Sequence, residues 1–337
     1  MRPLLHPALV NGRTGDPALY VETIFERATL MFDLGDIANL TPRKIQRLDH
    51  VFVSHTHVDH FVGFDRLLRI LVGRDKTVGL YGPAGFLEQV RHKLAAYTWN
   101  LADRYAADLA FDVTEVGPDM TLRKGRLRLK TKFEIEPAGS ASMSGDVLHA
   151  GQNFRVSVAI LDHGAPCLAF AVQESAHVNV WKTRLSELGL PVGPWLQTLK
   201  RALIDNRADD FPIAAGARSG PATVMPLGAL KVAVTVTPGQ KIGYVTDAAD
   251  TPANRRAIIR LVGGADILFI EAPFAAADAD LAADRAHLTT VAAGTIAREA
   301  GVRRVEPFHF SPRYQGEEER LLNEVMATFS GALGPEA

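Results

Sequence analysis

Only one cysteine, Cys167, stands among the 337 residues. A lone thiol can close no internal disulfide and build no cysteine-based zinc finger, and it fits a reducing compartment. Charge of one sign is also missing. Lys and Arg total 37 against 38 Asp and Glu, a net charge of −1, which speaks against a chain-wide polyanion binder and leaves room for local basic patches. No apolar run approaches the roughly 18 residues of a membrane span. Residues 1–7 hold no apolar stretch of signal-peptide length. A soluble cytoplasmic protein without a membrane partner is the expectation. No repeat of solenoid period occurs. Apolar residues, by contrast, make up 47% of the chain, enough for a large core and too many for global disorder. Histidine is the unusual abundance, with 11 copies.

Length alone suggests about two domains, but the pattern of elements argues for one. Residues 19–25 and 28–32 read as strands joined at Glu26 and Arg27. Residues 49–54 form a short apolar run, as in a buried strand. Phe61, Phe64, Leu67, Leu68 and Leu71 then recur at helical spacing. Residues 78–81 read as a strand, with Pro83 opening a helix. Further extended segments are expected at 121–136, 154–162, 167–173, 232–236, 241–246 and 266–271, and helices at 253–263, 288–300 and 316–330. Strands with helices between them suggest an α/β fold of two packed sheets with helices outside, a four-layer αββα sandwich. Residues 136–152 and 208–226 are small, polar or rich in Gly and Pro, and read as loops.

The densest chemistry lies at Ser54–His60, where His55, His57, Asp59 and His60 spell H-x-H-x-D-H. Three imidazoles and a carboxylate between a strand and a helix can converge on one point. Such a donor set suits zinc, iron or manganese. One burst is too small to close a two-metal site, so further donors should stand alone at other strand ends. Three do: His163 after 154–162, Asp247 after 241–246, and His309 after 302–305. Singly each reads as a turn residue; their shared placement makes them ligand candidates.

With these residues in view, the sequence resembles the metallo-β-lactamase superfamily, and within it the ribonuclease Z (tRNA 3′-processing endonuclease) branch. The resemblance runs from about residue 19 to 330. Branch-level segments are 41–45, 81–85, the Gly-Pro motif at 189–194, His287-Leu288-Thr289-Thr290, and 308–315. The resemblance implies two divalent metal ions, zinc by preference with iron or manganese as alternatives. One would take His55, His57 and His163, the other Asp59, His60 and His309, with Asp247 bridging. A metal-bridging hydroxide would attack a phosphodiester. His287 would be the general acid and Glu271, which ends strand 266–271, its support. Asp59, His287 and Glu271 are thus the candidate catalytic residues. A homodimer is also implied. The zinc β-lactamase site itself is disfavoured, because its cysteine ligand has no counterpart.

Two features set the chain apart from that branch. Residues 4–16 match neither its Gly-Thr-Gly turn nor its Arg-Asn loop. A substrate arm, expected as an insertion in a single domain around 174–226, carries six Lys and Arg against five acids from Glu174 to Gly220. An RNA grip should be more basic. A second basic stripe, Arg126, Arg128, Lys130 and Lys132, would share one face of a strand. Two enzyme readings follow: a ribonuclease Z-like phosphodiesterase acting on a tRNA precursor, or a hydrolase of small phosphodiesters or other esters on the same scaffold. A catalytically silent binding protein is the third, and a complete ligand set argues against it.

Overall fold

The computed structural model describes residues 4–23, 29–143, 145–216 and 222–332. They form two compact units, one from Met1–Gly151, Arg155–Val172 and Gln240–Ala337, the other from Gln152–Phe154 and Gln173–Gly239.

In the larger unit, β1 (Leu5–Leu9), β2 (Leu19–Thr23), β3 (Thr29–Phe32), β4 (Leu48–Phe52), β5 (Lys76–Pro83), β6 (Leu109–Val116), β7 (Thr121–Arg128) and β8 (Ile135–Ser142) lie side by side in chain order. The central strands β3 to β6 are parallel. The sheet's outer face packs Leu80, Val113 and, from β7, Leu127 against Phe64 and Leu67 of helix Phe64–Leu71 and Leu87 and Val90 of helix Phe86–Ala95. The chain continues through β9 (Val147–Ala150), β10 (Phe154–Asp162) and β11 (Pro166–Glu174). It then enters the smaller unit, whose strands are β12 (His177–Val180), β13 (Pro212–Ala215), β14 (Thr223–Pro226) and β15 (Val234–Thr237). It returns as β16 (Lys241–Val245), β17 (Ile267–Glu271) and β18 (Val305–Phe308). The second sheet has the order β18-β17-β16-β11-β10-β9. Helices Pro252–Val262, Thr290–Glu299 and Glu318–Phe329 cover it through Ile258, Val262, Ile296, Leu321 and Val325. Thr251 and Thr289 cap two of these helices by accepting the backbone N–H of Asn254 and Ala292.

The two sheets meet through aromatic rings. Phe32 stacks on Phe52 at 5.2 Å and on Tyr244 at 5.6 Å, and Phe170 lies 5.7 Å from Phe32 and 5.6 Å from Phe52. Layers therefore run helix, sheet, sheet, helix, as the expected αββα sandwich. In β11, Cys167 to Val172 are all buried, since this strand has packed layers on both faces.

The smaller unit has its own core. Leu185, Trp195, Leu199, Ile213, Leu227 and Leu230 pack together. They come from helices Lys182–Glu187 and Trp195–Ile204, from β13 and from the turn Leu227–Leu230; β12 pairs with β15 and β13 with β14.

Several local expectations change. Strand β1 was not anticipated; its Pro7 lies in an edge strand, where a missing N–H is tolerated. Pro83 closes β5, opposite Val116, and the next helix starts at Phe86 behind Gly85, whose φ of 91° favours glycine. The single extended segment 121–136 is interrupted: β7 stops at Arg128, a 3-10 turn covers Leu129–Thr131, and Lys132 and Phe133 adopt φ of 54° and 60°. Three of the basic stripe's four cations are engaged locally. Arg126 donates to Asp112 at 2.6 and 3.0 Å, Arg128 to Asp108 at 2.8 Å, and Lys130 to the Tyr105 carbonyl. Residues 136–152 are not a loop, because β8 and β9 continue the two sheets through backbone pairing that small polar residues satisfy. The segment 208–226 likewise holds β13 and β14, and 232–236 belongs to the smaller unit's β15. The turn at Glu26 and Arg27 lies outside the described residues. Among the described residues no helix is long and apolar enough to cross a membrane.

Candidate metal centre

The strands of the sandwich end at one place. His55 lies just past β4, His57 immediately precedes the one-turn helix Val58–Phe61, and Asp59 and His60 sit within it. His163 follows β10, Asp247 follows β16, and His309 follows β18. All seven donor candidates, separated by up to 254 positions, meet there. His55, His57, His163 and Asp247 form one donor group, and Asp59, His60 and His309 another; within each, the donor atoms lie within 4.8 Å of one another.

Asp247 is the common point. Its Oδ2 is 3.5 Å from His55 Nε2, 3.4 Å from His60 Nε2 and 3.4 Å from His163 Nε2, and its Oδ1 is 3.0 Å from His309 Nδ1. Asp59 Oδ2 lies 3.5 Å from His60 Nε2 and 3.3 Å from His309 Nε2. An ion bound tetrahedrally at about 2.1 Å separates its donors by about 3.4 Å, which is the spacing seen. His55 Nε2, His60 Nε2 and His309 Nδ1 are buried without a hydrogen-bond partner. Buried polar atoms left so are costly, and here they all point at the same carboxylate. The residues present fit a metal site.

The electrostatics follow from that crowding. Burial, reinforced by His60, pushes His55 down to about 3. Burial and His163 also lower His57. Both rings are therefore neutral, with lone pairs available. Burial opposes ionisation of Asp247, but His60 and His309 hold it well below the usual carboxylate range. Asp59 is lowered in the same way, burial being outweighed by the neighbouring His309 and His60 rings. Conversely, burial disfavours charge on His60 and His309, yet the carboxylates around them lift both well above the ordinary histidine value.

A second layer holds the first. Asp33, fully buried, accepts from Ser54 N (2.6 Å), Ser54 Oγ (2.9 Å) and Tyr244 OH (2.8 Å), and binds His60 Nδ1 at 2.9 Å. This turns His60 Nε2 toward Asp247. The Asp33 turn packs against the histidine motif only because two glycines allow it. A Cβ on Gly35 would meet the Asp59 carbonyl at 2.6 Å, and one on Gly63 the Gly35 carbonyl at 2.2 Å. His163 Nδ1 is held by the Ala286 carbonyl at 2.8 Å. Asp33, Asp247 and His309 all adopt left-handed backbone, with φ of 59°, 41° and 60°. Such strain in non-glycine residues marks positions the surrounding structure over-determines.

His287 and Glu271 also arrive here. Glu271 ends β17 and is fully buried. Its Oε1 accepts from the N–H of Ala248 and Leu288, and its Oε2 binds His287 Nδ1 at 2.7 Å. The His287 ring lies 4.7 Å from that of His163, tilted by 57°, and lines the same cavity of about 430 Å³ as His57, Asp59 and His309. Burial opposes charge on both partners, yet each favours the other's charged form: Glu271 is lowered and His287 raised. Cys167 is fully buried, with its thiol 3.7 Å from His55 Nδ1 and 3.5 Å from the Thr246 carbonyl.

Reasoning from the sequence missed Asp33, Tyr244 and the Ala286 carbonyl. Asp33 carried a readable signal, since it follows β3 as His163 follows β10. Tyr244 and Ala286 carried none. His177 pairs with Glu174 in the smaller unit at 3.0 Å.

Fold and site together define a metal-dependent hydrolase of the metallo-β-lactamase type. Residues 31–171 match the beta-lactamase superfamily domain. Ribonuclease Z of Deinococcus radiodurans is 32% identical over 98% of this chain and 97% of its own. Ribonuclease Z of Brevibacillus brevis is 30% identical over 89% of this chain and 82% of its own. The chain belongs to the ribonuclease Z family. Among solved structures, the fold is shared with the metallo-beta-lactamase fold protein YhfI of Bacillus subtilis (TM-score 0.55, 18% identity, 96% of this chain and 94% of that one). It is shared too with the short form of human tRNase Z (TM-score 0.53, 18% identity, 92% and 91%).

Proposed function

We infer that this enzyme holds two divalent ions, zinc by donor chemistry, and hydrolyses a phosphodiester bond in RNA, with a tRNA precursor as substrate. The observation that carries the metal assignment is Asp247 Oδ2, placed 3.4–3.5 Å from three imidazole nitrogens, two of which have no hydrogen-bond partner. His55, His57 and His163 would hold one ion and Asp59, His60 and His309 the other, with Asp247 shared. Iron or manganese would satisfy the same donors. When bound, the ions supply Lewis acidity and a water nucleophile at neutral pH.

The rest of the chemistry belongs to the chain. With Nδ1 committed to Glu271, His287 has Nε2 left to give a proton to the leaving oxygen. Glu271 is a positioning residue: it fixes the ring and stabilises its charged form. Asp59 acts in catalysis through its place in the donor set. The smaller unit, Gln173–Gly239 with Gln152–Phe154, is the substrate arm of a single metallo-β-lactamase-fold domain, and the chain works as a cytoplasmic homodimer. RNA as substrate rests on the family, whose relatives here are named ribonuclease Z.

One observation favours small phosphodiesters as a second reading. Three of the arm's six described cations are engaged within it: Arg201 with Asp205, Lys231 with Asp209, and Arg184 with the Val232 carbonyl. Purified protein should contain about two metal ions per chain, and His57→Ala should abolish hydrolysis of bis-p-nitrophenyl phosphate. A metal-free protein active on that diester would overturn the metal assignment. A tRNA precursor with a 3′ trailer, assayed beside small diesters, separates the substrates: turnover of the diesters without trailer removal leaves the small-molecule reading.

A further inference from the structure

The cavity over the metal centre is lined by the carboxylates of Asp16, Asp59 and Asp247, by imidazoles, and by the guanidinium of Arg285. Among the described residues no carboxylate pairs with its guanidinium, whereas Arg13, Arg126, Arg128 and Arg255 of the same unit each have one. Its placement is built rather than incidental. Helix Ala279–Asp284 ends at Arg285, where the His287 N–H donates to the Ala282 carbonyl and the Ala286 N–H to the Ala283 carbonyl. This double closure normally puts glycine at the left-handed position. Here Ala286 occupies it, with φ of 56°, at a cost of about 1 kcal/mol. The strained turn does two things. It aims the Ala286 carbonyl at His163 Nδ1, and it sets Arg285 and His287 on either side of one fixed residue, both facing the cavity.

Depth separates their roles. His287 is part-buried against Glu271 and His163, while Arg285 is exposed at the rim. A phosphoryl group reacting beside His287 leaves Arg285 one step outward, on the side of the leaving group. A guanidinium offers two parallel donors matched to phosphate oxygens, a geometry lysine lacks. Resting on the hydrolase reading above, we propose that Arg285 binds the phosphate adjacent to the scissile one, and so selects substrates with a flanking phosphate over isolated diesters.

The readout is a ratio. The kcat/KM for a tRNA precursor with a 3′ trailer is divided by that for bis-p-nitrophenyl phosphate, which has one phosphate only. Arg285→Ala should lower this ratio at least tenfold, mainly through a higher KM for the RNA, and should flatten the salt dependence of that KM by about one phosphate contact. Arg285→Lys should recover part of the ratio, because charge survives while the paired donors do not. A ratio within twofold of wild type in both variants overturns the assignment, as does an equal loss on both substrates, which would make Arg285 a support of the reacting centre itself. If the wild type turns over the diester but not the RNA, the assignment also falls while the hydrolase reading stands. If it turns over neither, the hydrolase reading fails first.

Discussion

Replacing Glu271 with Gln tests the proton-handling half of the site without disturbing its shape. The carboxylate is fully buried, so the change cannot act through solvent or by direct contact with substrate. Gln can keep its oxygen at the Oε1 position, where the N–H groups of Ala248 and Leu288 donate at 2.8 and 3.1 Å. That anchors the side chain and preserves the fold. Its amide nitrogen then falls where Oε2 stood, 2.7 Å from His287 Nδ1. A donor now faces a ring nitrogen that had been a donor. The ring must present a lone pair there, and the charged form loses its counter-ion. One charge-assisted hydrogen bond is worth about 1.5–3 kcal/mol, so kcat should fall about 10- to 100-fold if that energy is realised in the transition state. KM should move less than about twofold, since binding contacts are untouched. Steady-state kinetics on bis-p-nitrophenyl phosphate, with metal content and thermal melting measured in parallel, checks this. A kcat within threefold of wild type, at equal metal content, would refute the view that Glu271 acts through His287.

Two other outcomes follow from particular contacts. Asp33→Asn removes the charge that receives four polar groups and orients His60, and should weaken metal binding about 10- to 100-fold; competition with a chelator measures it, and unchanged affinity would count against the role given to Asp33. His50 lies between the sheets, with its ring 4.1 Å from His149 and its Nδ1 3.3 Å from Tyr81 OH. Burial, then His149, lowers it from 6.5 to about 4, with Asp49 opposing. A depressed value means that its contribution to stability is complete above pH 6.5 and is lost as the pH falls toward 4. At pH 5 this amounts to about 2 kcal/mol. His50→Phe keeps a ring but cannot titrate. Urea unfolding at pH 7.5 and pH 5 should therefore show wild type losing about 2 kcal/mol more than the variant, and equal losses would refute the assignment to His50.

Much of this molecule can be read along the chain, and the reason is locality. A strand end followed by a polar donor is visible in five or six residues, so His55, His57, Asp59, His60, His163, Asp247 and His309 could be picked out without a structure. Helix starts at Thr251 and Thr289 are equally local, because a cap needs only its own next three residues. The basic stripe from Arg126 to Lys132 shows where such reading fails. Four cations in a row look like a surface for polyanions until Asp112, Asp108 and the Tyr105 carbonyl, brought alongside by the β6–β7 pairing and the turn after it, take up three of them.

What the sequence by itself determined is the donor chemistry and the layered α/β pattern, because both are written in residue type and spacing. The tertiary structure alone decided which donors share a point, since Asp247 reaches His55, His60 and His163 only after two sheets pack. It alone supplied the hydrogen bond between Asp33 and Tyr244, which spans 211 positions and joins one sheet to the other. It also separated two arginines that look alike in the sequence. Arg126 is neutralised by the strand beside it, and Arg285, with no carboxylate partner among the described residues, lines the cavity next to a strained alanine. Charge is a property of composition, but availability is a property of neighbours, and only folding chooses the neighbours.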